Sequence, residues 1–333
     1  MQNLKIGRSE NQMLTLNSIK TGLLRNSEGL TSSSKYVVSF TGRRAIIMDH
    51  DLNLIAEINK LHYVYKGQIS PDEKYLLLIS NGNIFYLYSM ETFELIRKVT
   101  LSGTYSGNLE GKGCFSHDGK YFMLILSNEK RSVSTLRIYN VDNLDEYKDY
   151  LENEYLLYSI VPVKSCKKYA IVASPGYEAR CNGHEYNLLI WFDGERFEKH
   201  IISGKDDYIT NVEASGDDKL TIYRGFGHVF DIDFNGKYIT HPIDPIDVLK
   251  EDIKSTGNAR LWESVSVACY SSEYPYCYVG ASKYLLVYST ETKEVVSKIN
   301  VRHRIIDIVE LGRDLIYVVT IDSELMFKVI CDE

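Results

Sequence analysis

Long apolar runs are missing from this sequence. No segment approaches the roughly 18–20 consecutive apolar residues that cross a bilayer as a helix, so a helical membrane anchor is excluded and no membrane partner is expected. The opening stretch, MQNLKIGRSENQMLTLNSIK, lacks the apolar core of a secretory leader. Cysteine is sparse, with 6 residues at positions 114, 166, 181, 269, 277 and 331 and no CxxC pair. That argues against a disulfide scaffold or a zinc ribbon and points to a reducing, cytoplasmic setting. A basic excess is absent as well: 38 Lys and Arg face 45 Asp and Glu, for a net charge of −7. Long-range attraction to a phosphate backbone is opposed, and nucleic acid is disfavoured as a partner.

Catalytic signatures are equally scarce. The sequence has no HExxH, no GxSxG, no Rossmann fingerprint and no EF-hand loop. Gly107–Gly113 (GNLEGKG) lacks the spacing and the hydroxyl residue of a phosphate loop. Cys181 and His184 share one loop, but two ligands are too few for zinc. The loop acids Glu178, Asp206, Asp207, Asp322 and Glu324 are the candidates for a metal cage, and acids in loops are usually solvated. No catalytic residue, metal ligand or cofactor is assigned.

What the chain does contain is a repeat. Its hydrophobic residues, 44% of the total, and its 26 Tyr fall into short β-rich runs. Ser70–Tyr75 (SPDEKY) and Ser116–Tyr121 (SHDGKY) mark the period. Each leads into an apolar run, then a second run at Asn83–Ser89 or Thr135–Val141, then an acidic turn and a third run at Phe93–Val99 or Glu146–Leu151. The same order recurs in Lys35–Ile58, Lys167–Ile202, Lys219–Ile243, Pro275–Ile299 and Asp314–Ile330. Tyr36, Tyr75, Tyr121, Tyr169, Leu220, Tyr276 and Leu315 start equivalent strands and stand 39 to 56 residues apart. A four-stranded propeller blade takes roughly 40–45 residues before loop insertions.

Length alone, at roughly 150 residues per domain, suggests two domains; the repeat replaces that expectation with one. The expected fold is all-β, a seven-bladed β-propeller of four-stranded antiparallel blades over residues 1–333, with six or eight blades as alternatives. The blades are placed at 20–58, 64–100, 112–151, 155–202, 208–243, 262–299 and 303–330. The last unit lacks an outer strand, and a strand at Gln12–Ile19 is expected to supply it and close the ring. Residues 244–261 form an insertion between blades, with the one expected helix near Pro245–Ser255.

The SPDEKY and SHDGKY turns, the GDDKL turn (Gly216–Leu220) and the strands NLLIWFDG and YLLVYSTET resemble those of WD-repeat β-propellers, over nearly the whole chain. The resemblance implies that Asp72, Asp118 and Asp217 fix their blades through hydrogen bonds. A Trp-Asp dipeptide is absent, Trp191-Phe192-Asp193 being the nearest. Gly183-His184 and Gly227-His228 fall between second and third strands rather than ahead of a blade.

The strand register assigns loops to two faces. Turns joining third to fourth strands carry formal charges that total −9. The opposite face is mixed, with basic and aromatic clusters. Its candidate partner-binding residues are Arg43, Arg44, His62, Tyr63, Tyr65, Lys66, Lys130, Arg131, Arg180, Arg224, Trp262, Tyr284, Arg302 and Arg304. Arg pairs carboxylates in a bidentate manner, and Tyr gives contact area at low entropic cost. The expected function is a non-catalytic platform that binds a partner protein or an acidic peptide segment through this face. One alternative is a lactonase- or hydrolase-like enzyme acting on a small molecule in the axial channel. Another is a stand-alone inhibitor or immunity-type protein with one tight partner.

Overall fold

The computed structural model describes residues 14–21, 27–80, 84–101, 113–128, 133–176, 186–202, 209–214, 219–224, 229–239, 265–292, 294–312 and 314–331. All regular elements among them are β-strands, and no helix is long and apolar enough to cross a membrane. The expected helix near Pro245–Ser255, with the rest of the insertion at 244–261, lies outside the described residues. The chain divides into two compact units, residues 1–67 with 244–333, and residues 68–243.

The first unit holds three four-stranded sheets. One contains β2 (Gly29–Ser32), β3 (Val37–Phe40), β4 (Ala45–Met48) and β5 (Leu54–Ile58) in that order. Another contains β20 (Val265–Tyr270), β21 (Tyr276–Ala281), β22 (Tyr284–Ser289) and β23 (Val295–Asn300). The remaining sheet has the order β1 (Leu14–Thr21), β26 (Glu324–Cys331), β25 (Leu315–Thr320), β24 (Ile305–Gly312). The N-terminal strand therefore does supply the outer strand of the last unit. Its described residues, Leu14–Thr21, run antiparallel to β26, from Leu14 opposite Cys331 to Thr21 opposite Leu325; Gln12 lies outside the described residues.

Side chains alternate between the two faces of a strand, and here both faces are buried. In β25, Ile316 and Val318 pack with Tyr278 and Leu285 of the sheet before it. Tyr317 and Val319 turn the other way, to Leu30, Val37 and Met48. Near-continuous apolar runs such as LIYVVT are what a strand buried on both faces requires. The sheets of this unit stack face to face, as propeller blades do.

The second unit begins at residue 68, within β6 (Val64–Ile69), the first strand of a four-stranded sheet with β7 (Tyr75–Ser80), β8 (Ile84–Ser89) and β9 (Leu95–Thr100). A seven-stranded sheet follows: β10 (Gly113–Phe115), β11 (Tyr121–Asn128), β12 (Val133–Asn140), β13 (Tyr147–Val163), β14 (Lys168–Pro175), β15 (Asn187–Phe192) and β16 (Phe197–Ile202). A three-stranded sheet has β17 (Ile209–Ala214), β18 (Lys219–Arg224) and β19 (Val229–Asp233). Stacking is again face to face. Phe85 meets Phe122 and Tyr139, each at 5.2 Å between ring centroids. Ala170, Val172, Leu189 and Trp191 pack on Val212, Leu220, Ile222 and Phe230.

Seven separate four-stranded blades do not form. Five sheets among the described residues have four or more strands, four of them with four and one with seven. The reason lies in β13. Tyr147–Tyr150 pairs with β12, and Tyr155–Val163 pairs with β14. The sequence between, Leu151–Glu154, has no Gly or Pro to end a strand. The chain stays in the sheet through a bulge in which Leu151 takes φ 53°. Met123, Ile125 and Leu136 from one end of that sheet then share a core with Ile171, Leu188 and Ile190 from the other.

Candidate functional site

Two loops of the first unit build a concavity. Between β3 and β4 lies a tight turn. The Thr41 hydroxyl accepts the backbone N–H groups of Arg43 (3.3 Å) and Arg44 (3.2 Å), and the Thr41 N–H donates to the Arg44 carbonyl at 2.8 Å. The linker from β5 to β6 is fastened to this turn. Leu61 N–H donates to the Arg43 carbonyl at 3.0 Å, and Val64 N–H to the Gly42 carbonyl at 3.2 Å. To fold back in this way Lys60 and Tyr63 take positive φ values of 62° and 45°, a region most residues avoid. A Cβ at Gly42 would meet the Tyr63 backbone at 3.5 Å, an ordinary packing distance.

The resulting concavity, about 700 Å³, is lined by Thr41, Arg43, Arg44, Asn59, Lys60, Leu61, His62 and Tyr63. Leu61 is buried and anchors the floor, while Tyr63 is 53% exposed with its edge toward the His62 ring, 5.1 Å away. Arg44 pairs with Glu57 at 3.4 Å in an exposed contact. Such a pair holds little energy, typically 0–1 kcal/mol. Arg43 and Lys60 are exposed and have no carboxylate partner among the described residues. The site thus offers cations and one amphipathic ring on a rigid backbone.

Four of the sequence candidates, Arg43, Arg44, His62 and Tyr63, meet at this concavity, and Lys60, Asn59, Thr41 and Leu61 complete it. Tyr65 and Lys66 follow in β6. Lys66 is exposed, and its charge draws down the Asp307 carboxyl, which burial pushes up above the ordinary value. Arg302 and Arg304 are exposed in the linker between β23 and β24, outside this lining. Arg302 has φ 73° and donates its N–H to Asn300 Oδ1 at 2.9 Å. Tyr284 is not on a loop surface: only Ser282 and Lys283 separate β21 from β22, so Tyr284 begins the strand and is 7% exposed. Arg224 ends β18, and its side chain lies outside the description. Lys130, Arg131, Arg180 and Trp262 lie outside the described residues, as does Asp217.

The other two turn acids close their hairpins. The Ser70 hydroxyl donates to Asp72 Oδ1 at 2.7 Å and accepts Tyr75 N–H at 2.9 Å. Ser116 repeats this with Asp118 (2.7 Å) and Tyr121 (2.9 Å). The hydrogen bond from Ser116 leads the effects that hold the Asp118 carboxyl below 3.8. For Asp72, burial opposes the shift, and the bonds from Ser70 and Lys74 outweigh it.

Two acidic features differ from expectation. Glu324 is no solvated loop acid: it opens β26, is 1% exposed, and accepts hydrogen bonds from the Ser39 hydroxyl and from the Tyr317 hydroxyl at 2.7 Å. Some of the acids counted in the third-to-fourth turns serve the turns themselves. Asp49 Oδ1 accepts N–H groups of Asp51 and Asn53 at 2.9 and 2.8 Å, and Asp193 and Asp233 do the same for their turns. Each stands at the end of a third strand or one residue past it, where Ser89, Asn140 and Ser289 stand in the other repeats. That shared acceptor chemistry is a signal the charge count overlooked. Glu178, Asp206 and Asp207 lie outside the described residues, and no group of three metal-ligating side chains occurs among those described.

Compared with protein families and with curated proteins, the chain finds no match.

Proposed function

We propose that the protein is a WD-repeat-like propeller, completed by its N-terminal strand, that serves as a cytoplasmic interaction platform for an acidic protein segment. The observation that carries this reading is the Arg43 concavity. Arg43 and Lys60 stand there without acidic partners among the described residues, beside the exposed Tyr63 ring, on loops whose backbone is tied by Leu61 and Val64. Backbone held in a sparsely populated conformation at Lys60 and Tyr63 fits a surface shaped for recognition. Arg and Tyr are the residue types that dominate binding energy when an interface forms. Cys114 and Cys166 are free thiols, in keeping with a reducing compartment. Affinity capture from native lysate, followed by mass spectrometry, tests the reading. The quadruple charge reversal of Arg43, Arg44, Arg302 and Arg304 to Glu is expected to lose the captured partner while the domain stays folded. Unchanged capture by the reversed variant contradicts it.

A further inference from the structure

A second concavity, about 450 Å³, opens in the other unit, within the bent seven-stranded sheet. It sits at the ends of the hairpin turns rather than at the side of the β3–β4 type of loop. Met123, Ile138 and Phe192 give it an apolar floor, and Tyr121, Tyr147 and Tyr150 wall it. Tyr121 and Tyr147 are 45% and 54% exposed, unusually open for rings that line one recess.

The charges around these rings are not balanced internally. Arg137 stacks 4.0 Å over the Tyr147 ring, but Asp149 neutralises it through two bonds of 2.6 and 2.7 Å. Glu146 projects from the same turn, and among the described residues its carboxylate is held by the neutral amides of Asn140 (3.3 Å) and Asn143 (2.9 Å) and by no cation. Asp142, two residues beyond Asn140, accepts the Tyr75 hydroxyl at 3.4 Å and forms no ion pair among the described residues. Aromatic faces attract cations, more so beside a carboxylate. The site shows that preference itself, because the Lys148 ammonium lies 4.8 Å from the Tyr150 ring centre.

We propose that this recess seats a protein segment carrying a lysine or arginine next to an apolar residue. The cationic head takes the place above Tyr150, beside the edge of Tyr147 and near Glu146, and displaces Lys148, while Arg137 stays over Tyr147. The apolar neighbour lies on Met123, Ile138 and Phe192. Charge complementarity selects this occupant: Glu146 in the lining and Asp142 in the same turn make no ion pair among the described residues. Lys148 is the one cation in the described lining that an acidic segment could pair with.

The test is a displayed library of random seven-residue peptides selected on the full chain. Peptides that bind wild type are then counter-screened on Glu146→Lys and Tyr147→Ala, both exposed positions whose melting temperatures serve as the folding control. The expected consensus is a basic residue adjacent to an aromatic or aliphatic one. Its synthetic representative should bind both variants about ten-fold more weakly. Lys148→Ala should bind it several-fold more tightly, since the competing cation is gone. An acidic consensus, binding weakened by Lys148→Ala, or the absence of any peptide that separates wild type from the two variants overturns the proposal.

Discussion

Leu61 donates its backbone N–H to the carbonyl of Arg43 at 3.0 Å, fastening a linker to the turn that precedes it. The arrangement is part of the repeat. Val301 donates to Lys283 at 2.9 Å, and Ile305 to Ser282 at 2.7 Å, just as Val64 donates to Gly42. Backbone thus holds the loops while the outward side chains, Arg43 in one repeat and Lys283 in another, are left to vary.

It follows that stability and recognition separate at adjacent positions. Leu61→Ala removes a buried side chain and should cost about 2–3 kcal/mol. Arg43→Ala removes an exposed one and should cost less than about 0.5 kcal/mol. Urea denaturation of the two variants checks this, and equal losses would show that Arg43 has a packing role.

Much of this was legible in the sequence. SPDEKY and SHDGKY announced hairpins because Ser, Asp and Gly are turn formers, and the structure closes both turns with the Ser hydroxyl. The N-terminal strand was legible from the missing outer strand of the last unit. Sheet division was not, since Tyr147–Val163 contains no residue that forces an exit, and strand patterning does not say which partner a strand keeps. Glu324 was misread because burial of one acid depends on a distant hydroxyl, that of Ser39. Only Arg43, Arg44, His62 and Tyr63 were anticipated at the concavity with the linker residues beside them left as background. The Tyr147 recess was missed altogether, because three non-adjacent turns compose it.

Asp118 gives a pH dependence of defined sign. Its folded carboxyl titrates below the 3.8 of a free carboxylate, so its stabilisation is present above that value and is lost as pH falls through the folded one. Thermal melts from pH 7 down to pH 2 should show a shallower acid decline for Asp118→Asn than for wild type. Ser116→Ala, which loses the bonds to Asp118 and Tyr121 together, should cost about 1–2 kcal/mol at neutral pH.

The Glu324 cluster joins β26 to β25 and β3. Glu324→Ala strands the Tyr317 hydroxyl in the interior and leaves the Ser39 hydroxyl to its contact with Ser27, at an expected cost of about 2–4 kcal/mol. Glu324→Gln retains an acceptor and should cost less than the alanine. Chemical denaturation that ranks the two in the opposite order would mean the carboxylate is not the acceptor described.

Deleting residues 1–20 removes nearly all of the strand that pairs with β26 from Leu14 to Thr21. An exposed edge and an uncovered Leu16 contact remain, and the melting temperature should fall by on the order of 10 °C. Calorimetry checks this, and an unchanged midpoint would remove β1 from the account of the fold.

The most direct measurement on the central claim is a fluorescence-anisotropy titration of the full chain with a fluorescein-labelled octapeptide of alternating Glu and Tyr, in parallel with its Lys-Tyr counterpart. Binding of the acidic peptide should be saturable and salt-sensitive and should weaken at least about ten-fold in the Arg43→Glu, Lys60→Glu double variant, with no change in melting temperature. Acidic-peptide binding that is absent, or that survives the double reversal unaltered, would contradict the claim.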